Sequence, residues 1–192
     1  MVVMILNTAV DAMVLVLDKL MRQPRSRTTT TLPSAMAVAP RRVVVCGASG
    51  ACGRAALHAL EALEPPADVV ALVRRERPLA ATPDGAPIDA ARIRAVTVVD
   101  YERLVAEGPT GAHATQLFGG ATHVVQCLGT TRTDAGSRAA FRRVDYDYVE
   151  AVIRAAREHG VQNYAQVSSQ GADAKSCFLY MRTKGQADAL AI

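Results

Sequence analysis

Tyr180 and Lys184 stand four residues apart, a spacing that puts both side chains on one face of a helix. An ammonium beside a phenol favours its ionised form, which makes the tyrosine a usable proton donor or acceptor near neutral pH. Tyr-x-x-x-Lys alone is common and carries little weight. It gains weight here from Val167-Ser168-Ser169 upstream, where a hydroxyl at a strand end can hydrogen-bond a carbonyl undergoing reduction. Both Ser168 and Ser169 meet that condition.

A second group of residues suits a dinucleotide. Val43 to Cys46 is a short β-branched run that enters Gly47-Ala-Ser-Gly50-Ala-Cys-Gly53, and Arg54 follows with an apolar helical pattern. Glycines at this spacing let the chain turn sharply and let its backbone approach a pyrophosphate, whose charge rests on amides at the helix N-terminus. Ser49 adds a hydroxyl donor. A strand before the turn and a helix after it is the context that separates a nucleotide site from an ordinary tight turn.

An NAD site would place an acidic residue roughly twenty positions further on, to hold the ribose hydroxyls. Here the second strand ends in Arg74-Arg75 instead. Two guanidiniums suit a 2′-phosphate through paired, charge-assisted hydrogen bonds, so NADPH is expected over NADH. Arg54 could support the same phosphate. Asp100, at the end of the third strand, is placed either to meet the adenine amino group or to cap a helix.

The elements that must position these groups alternate. Strands are expected at Val43–Cys46, Val69–Val73, Ile93–Val99, His123–Leu128 and Asn163–Val167, and helices at Arg54–Leu63, Tyr101–Glu107, Arg138–His159 and from Phe178 onward. The long helix keeps Phe141, Val144, Tyr148, Val152 and Ala155 on its apolar stripe and closes at Gly160. Arg74 to Ala91, with its prolines, reads as a loop. The pattern predicts a Rossmann-like, doubly wound parallel sheet of about five strands, covered by helices on both faces.

Composition narrows the function classes. Half of the 192 residues are hydrophobic and 21% are charged, ordinary for a folded α/β chain, while aromatics are scarce and tryptophan is absent. That argues against a stacking platform for single-stranded nucleic acid. The net charge of +4 lies entirely in residues 1 to 42, which hold six basic and two acidic side chains. Basicity therefore marks a terminal segment rather than a binding face. Cys46, Cys52, Cys127 and Cys177, like the four histidines, lack metal-ligand spacing, and the cysteines suit a reducing compartment.

Residues 1–40 read as a leader or flexible extension, with the folded domain spanning 41–192. Met1 to Leu17 is apolar, yet its basic residues follow the apolar run, unlike a signal peptide, and Asp11 would cost about 2.5 to 3.5 kcal/mol in mid-membrane. From Lys19 to Leu60 no acidic residue occurs, which suits an organelle transit segment; the other reading places the true start at Met36. Cytoplasmic location is expected, with a mitochondrial or other organellar one as the alternative.

Taken with Cys127-Leu-Gly-Thr-Thr-Arg132, Val144-Asp-Tyr-Asp-Tyr-Val149, Val167-Ser-Ser-Gln-Gly-Ala172 and Phe178-Leu-Tyr-Met-Arg-Thr-Lys-Gly185, the glycine motif resembles the atypical short-chain dehydrogenase/reductases of the Tat-interacting-protein 2 type. The likeness runs from about Arg41 to the C-terminus. It implies an NADPH-binding Rossmann fold with Ser49, Gly50, Ala51 and Cys52 near the pyrophosphate, Arg74 and Arg75 at the 2′-phosphate, and Leu128 and Gly129 on the ribose side. It also implies Tyr180 as general acid, Lys184 tuning it and holding the nicotinamide ribose, and Ser169 or Ser168 orienting the carbonyl. Members of that family continue well past the lysine, so a domain incomplete at its C-terminus is expected, either from a truncated gene model or as a marginal, partner-dependent fold, with an NADPH-sensing binding protein without turnover or an inactive fragment as the alternatives to a reductase. Members are also discussed as regulators, so the partner is either a small carbonyl substrate or a regulatory protein.

Overall fold

The structure, a computed structural model, describes residues 2–6, 41–63, 66–75, 79, 88–89 and 93–192. Six parallel strands form one sheet: β1 (Val2–Leu6), β2 (Arg42–Cys46), β3 (Asp68–Val73), β4 (Ile93–Val98), β5 (His123–Gln126) and β6 (Asn163–Val167), in the order β1-β6-β5-β2-β3-β4. The chain thus winds outward in both directions from β2, the doubly wound arrangement expected of alternating strands and helices. Ligands in such sheets bind where the order reverses, at the C-terminal ends of the strands.

Five of these strands are those the sequence predicts, within a residue or two at their ends. The sixth, β1, lies in the segment read as leader or extension. It pairs with β6 in register from Val2 with Asn163 to Leu6 with Val167. A run of five consecutive apolar residues suits a strand covered on both faces as well as it suits a targeting segment, which is why composition does not separate the two. Most of the segment Arg74 to Ala91, read as a loop, lies outside the described residues.

The helices are α1 (Ala51–Glu61), α2 (Tyr101–Glu107), α3 (Ala112–Phe118), α4 (Arg132–Ala135), α5 (Arg138–Arg142), α6 (Tyr148–Glu158) and α7 (Leu179–Ala191). The strands feed two cores, one on each side of the sheet. Val43, Val45, Val69, Ala71, Val125 and Ala165 meet Ala56, Leu57 and Leu60 of α1 on one side. Val44, Val70, Val124 and Tyr164 meet Leu104, Phe118, Val149, Val152 and Ile153 on the other. Alternate residues of β2 therefore go to opposite cores, as the period of a strand requires.

The predicted long helix is interrupted. Between α5 and α6, Arg143–Asp147 winds as a π-helical turn, whose hydrogen bonds span five residues instead of four. Phe141, Val144, Val152 and Ala155 are buried as expected. Val149 is buried where Tyr148 was expected, and Asp145 enters the core completely.

Candidate functional site

At the C-terminal end of β2 the chain turns at Gly47, whose φ of 71° lies in the left-handed region that favours glycine. A Cβ there would also stand 2.9 Å from the backbone of Cys127 and Leu128. Gly53, in the first turn of α1, has still less room: a Cβ would lie 2.2 Å from the carbonyl oxygen of Gly47. The two glycines let the helix start press against the turn that precedes it. No side chain caps α1 at Gly50, and no acidic residue occupies its first turn. The amides of Ala51, Cys52 and Gly53, with the positive end of the helix dipole behind them, fit a pyrophosphate. Ser49 is half-buried beside them. Arg54 folds back, its Nη1 donating to the carbonyl of Ser49 at 3.1 Å, so it braces the turn rather than reaching toward a distant phosphate.

A cleft of about 390 Å³ opens at the ends of β3 and β4, lined by Arg74, Val98, Val99, Asp100, Tyr101, Glu102, Val144 and Tyr148. Arg74 is part of this lining, and Arg75, equally exposed, is not. Asp100 both lines the cleft and caps α2, its Oδ1 accepting from the amide of Arg103 at 3.0 Å. Tyr101 and Tyr148 stack with centroids 5.1 Å apart and form a flat aromatic wall. Glu102 accepts from the Arg143 guanidinium and from the Tyr148 hydroxyl. Those hydrogen bonds hold its carboxyl down to about 2, led by Arg143.

Lys184 is buried on α7, its Nζ 2.9 Å from Oδ1 of the fully buried Asp145. Oδ2 of Asp145 accepts from the amide of Thr130 at 2.8 Å. Burial pushes the Asp145 carboxyl above its ordinary range, against the pull of Lys184 and of the Thr130 amide. Gly129 lies against this pair: a Cβ there would stand 3.3 Å from both Asp145 Oδ1 and Lys184 Nζ. The backbone at 127–129 is thus a bridge, touching Gly47 on one side and the lysine on the other. The glycine turn, Leu128, Gly129 and Lys184 all converge at one end of the sheet.

Tyr180 lies in the first turn of the same helix and is 41% exposed, with its ring 5.8 Å from that of Phe141. The two serines separate. Ser168 donates to Asp188 of α7, whereas Ser169 makes only weak contacts, 3.3 Å to the carbonyl of Gln170 and 3.9 Å to the sulfur of Met181, and so keeps its hydroxyl available. α7 is seated by Gly185, where a Cβ would lie 2.2 Å from the amide nitrogen of Ala174. Among the described residues, no group of His, Cys, Asp or Glu side chains could hold a metal ion.

Asp145 is the site residue that the sequence reading missed. Its signal is an acidic residue inside an apolar helical stripe, between Val144 and Val149. It stands four residues from both Phe141 and Val149, so helical spacing alone puts it on the buried face.

The NAD(P)H-binding family model matches residues 47–190. HTATIP2 of Rattus norvegicus is 40% identical over 92 residues, which are 48% of this chain and 35% of that protein. The mitochondrial protein FMP52 of Lodderomyces elongisporus is 47% identical over 62 residues, 32% of this chain and 26% of that protein. Among solved structures, MoeE5 in complex with UDP-glucose and NAD superposes with a TM-score of 0.54 at 20% identity, covering 78% of this chain and 47% of that one. The UDP-glucuronic acid 4-epimerase of Bacillus cereus, in complex with NAD, gives 0.55 at 12% identity, covering 78% and 50%. The matched segment thus spans about a quarter to a third of these sequence relatives and about half of these structural ones. The strand order, the glycine turn and these matches lead to one assignment: the chain belongs to the NAD(P)H-binding family, and over about half of its length it is similar to HTATIP2.

Proposed function

We propose that this chain binds NADPH and reduces a small carbonyl substrate, with Tyr180 as the proton donor. The observation that carries the reading is the placement of Lys184: an ammonium held by a buried carboxylate beside the Gly129 backbone, one helical turn from the phenol. NADPH supplies the hydride when bound. Tyr180 gives its hydroxyl proton to the carbonyl oxygen as negative charge develops there, and Lys184 favours the phenolate left behind. Ser169 donates a hydrogen bond to the same oxygen and fixes the orientation of the carbonyl.

The 2′-phosphate preference rests on Arg74 in the cleft. The neighbouring carboxylates do not oppose it strongly, because Asp100 is engaged in capping α2 and Glu102 is neutralised by Arg143. A second reading, an NADPH-dependent binding protein without turnover, is favoured by Phe178, 72% exposed next to the exposed Tyr180. For location, the mitochondrial fungal relatives support the organellar alternative over the cytoplasmic one. No helix among the described residues is long and apolar enough to cross a membrane.

Tyr180→Phe tests the reaction. Removal of the general acid should lower turnover about 10²- to 10⁴-fold while NADPH affinity stays within twofold of the parent. Undiminished turnover in a folded Tyr180→Phe protein would exclude this tyrosine as the proton donor.

A further inference from the structure

Side chains 164, 166 and 168 of the β6 segment point to one side of the sheet, the side that carries α7. They join a polar chain inside an otherwise apolar layer. The hydroxyl of Tyr164 donates to Gln166 Oε1 at 2.8 Å, and Gln166 Nε2 donates to Asp188 Oδ1 at 2.8 Å. The other carboxylate oxygen, Oδ2, accepts from the hydroxyl of Ser168. Tyr164 is fully buried and Gln166 nearly so. Gln166 Nε2 and the Ser168 hydroxyl would both lose their acceptor if the carboxylate were removed, at a cost that buried polar groups do not tolerate easily.

Asp188 sits one turn beyond Lys184 and two beyond Tyr180, on the same face of α7. Its carboxylate therefore ties the helix that carries the proton donor to the strand whose end carries Ser169. We propose that Asp188 is a positioning residue of the carbonyl-reducing site. By engaging Ser168 and Gln166 it fixes the end of β6 relative to α7, which commits Ser168 to the fold and leaves Ser169 as the serine that meets the substrate. The proposal rests on the reductase reading. It adds to that reading a reason why two adjacent serines have different tasks, and it touches neither the glycine turn nor the cleft with Arg74.

The test uses the full chain with Asp188→Leu, Asp188→Asn, Ser168→Ala and the Asp188→Leu, Ser168→Ala double variant. Phenanthrenequinone serves as the carbonyl probe, and loss of NADPH absorbance as the signal. Asp188→Leu is expected to lower kcat about tenfold, with NADPH affinity and KM for the probe within twofold. Asp188→Asn, which keeps the shape and one acceptor, is expected to recover most of the rate. The double variant should be no slower than Asp188→Leu alone, because both changes break one link. Hydrogen exchange at the amides of residues 169–171 gives a readout independent of turnover, expected to quicken about tenfold in Asp188→Leu while α6 is unchanged. If the parent protein reduces no probe, the reductase reading loses its support, and the exchange result still decides whether Asp188 holds the strand end. A parent-like kcat in Asp188→Leu, an equal fall in NADPH affinity, or unchanged exchange at 169–171 would overturn the proposal.

Discussion

One π-helical turn, Arg143–Asp147, sends charged side chains in opposite directions. Asp145 goes inward to Lys184, with no exposure of the carboxylate, and Arg143 goes outward to Glu102, whose side chain is 59% exposed. The chemistry of the pairing is the same and the setting is not. Burial pushes the Asp145 carboxyl up, because removing a charge from water costs more than its partners return. Hydrogen bonds in solvent hold Glu102 down to about 2, because there the desolvation cost is small. The buried pair is therefore a device of the site, kept at some cost to the fold. The exposed pair shapes a cleft wall and contributes little to stability.

The comparison is broken most readily from the buried side. Lys184→Ala leaves the buried carboxylate with the Thr130 amide but without its cation and is expected to destabilise the protein by about 3 to 5 kcal/mol, read as a shift of the urea midpoint. A Lys184→Met, Asp145→Leu double replacement should regain most of that loss, yet abolish turnover. Arg143→Ala, by contrast, should cost less than about 1 kcal/mol, the ordinary value of an exposed pair. Equal losses from the two cations would contradict the division.

Next in size is the glycine turn, which uses neither pair. Gly53→Ala forces a methyl against the carbonyl of Gly47 and is expected to cost about 3 kcal/mol and to weaken nucleotide binding together with stability. Arg74→Ala should leave stability within about 0.5 kcal/mol while reducing the preference for NADPH over NADH about tenfold, by calorimetric titration.

The sign of the pH dependence sharpens the contrast further. In Lys184→Ala the buried carboxyl of Asp145 lies above its unfolded value, so its neutral form favours the fold. The stability lost at neutral pH should return as pH falls toward 4. Glu102 has the opposite sign, lying below its unfolded value. Its contribution is present above about pH 4.5 and fades as pH falls toward 2, so the gap between the parent and Glu102→Gln should close over that interval. Opposite slopes are the signature of one pair inside and one outside.

What the sequence made legible follows from which signals are local. The glycine turn, β6 and α7 announce themselves in a few adjacent residues, and Tyr180 and Lys184 follow from helical spacing alone. Asp145 lies on the helical stripe that Phe141 and Val149 mark, but what makes it part of the site is Lys184, a partner far along the chain that no local pattern shows. Ser168 and Ser169 were inseparable because the partner that divides them, Asp188, is twenty positions away from the first. β1 was hidden because a short apolar run serves strand and leader equally well. Arg54 was expected near the phosphate because of its place in the motif, and its guanidinium turned back to a carbonyl that the motif itself supplies.

Calorimetric titration of the full chain with NADPH and with NADH bears most directly on the central claim, that the glycine turn and the Arg74 cleft form a nicotinamide dinucleotide site. The account predicts saturable binding of NADPH at one site, tighter than that of NADH. A folded sample that takes up neither nucleotide would contradict it.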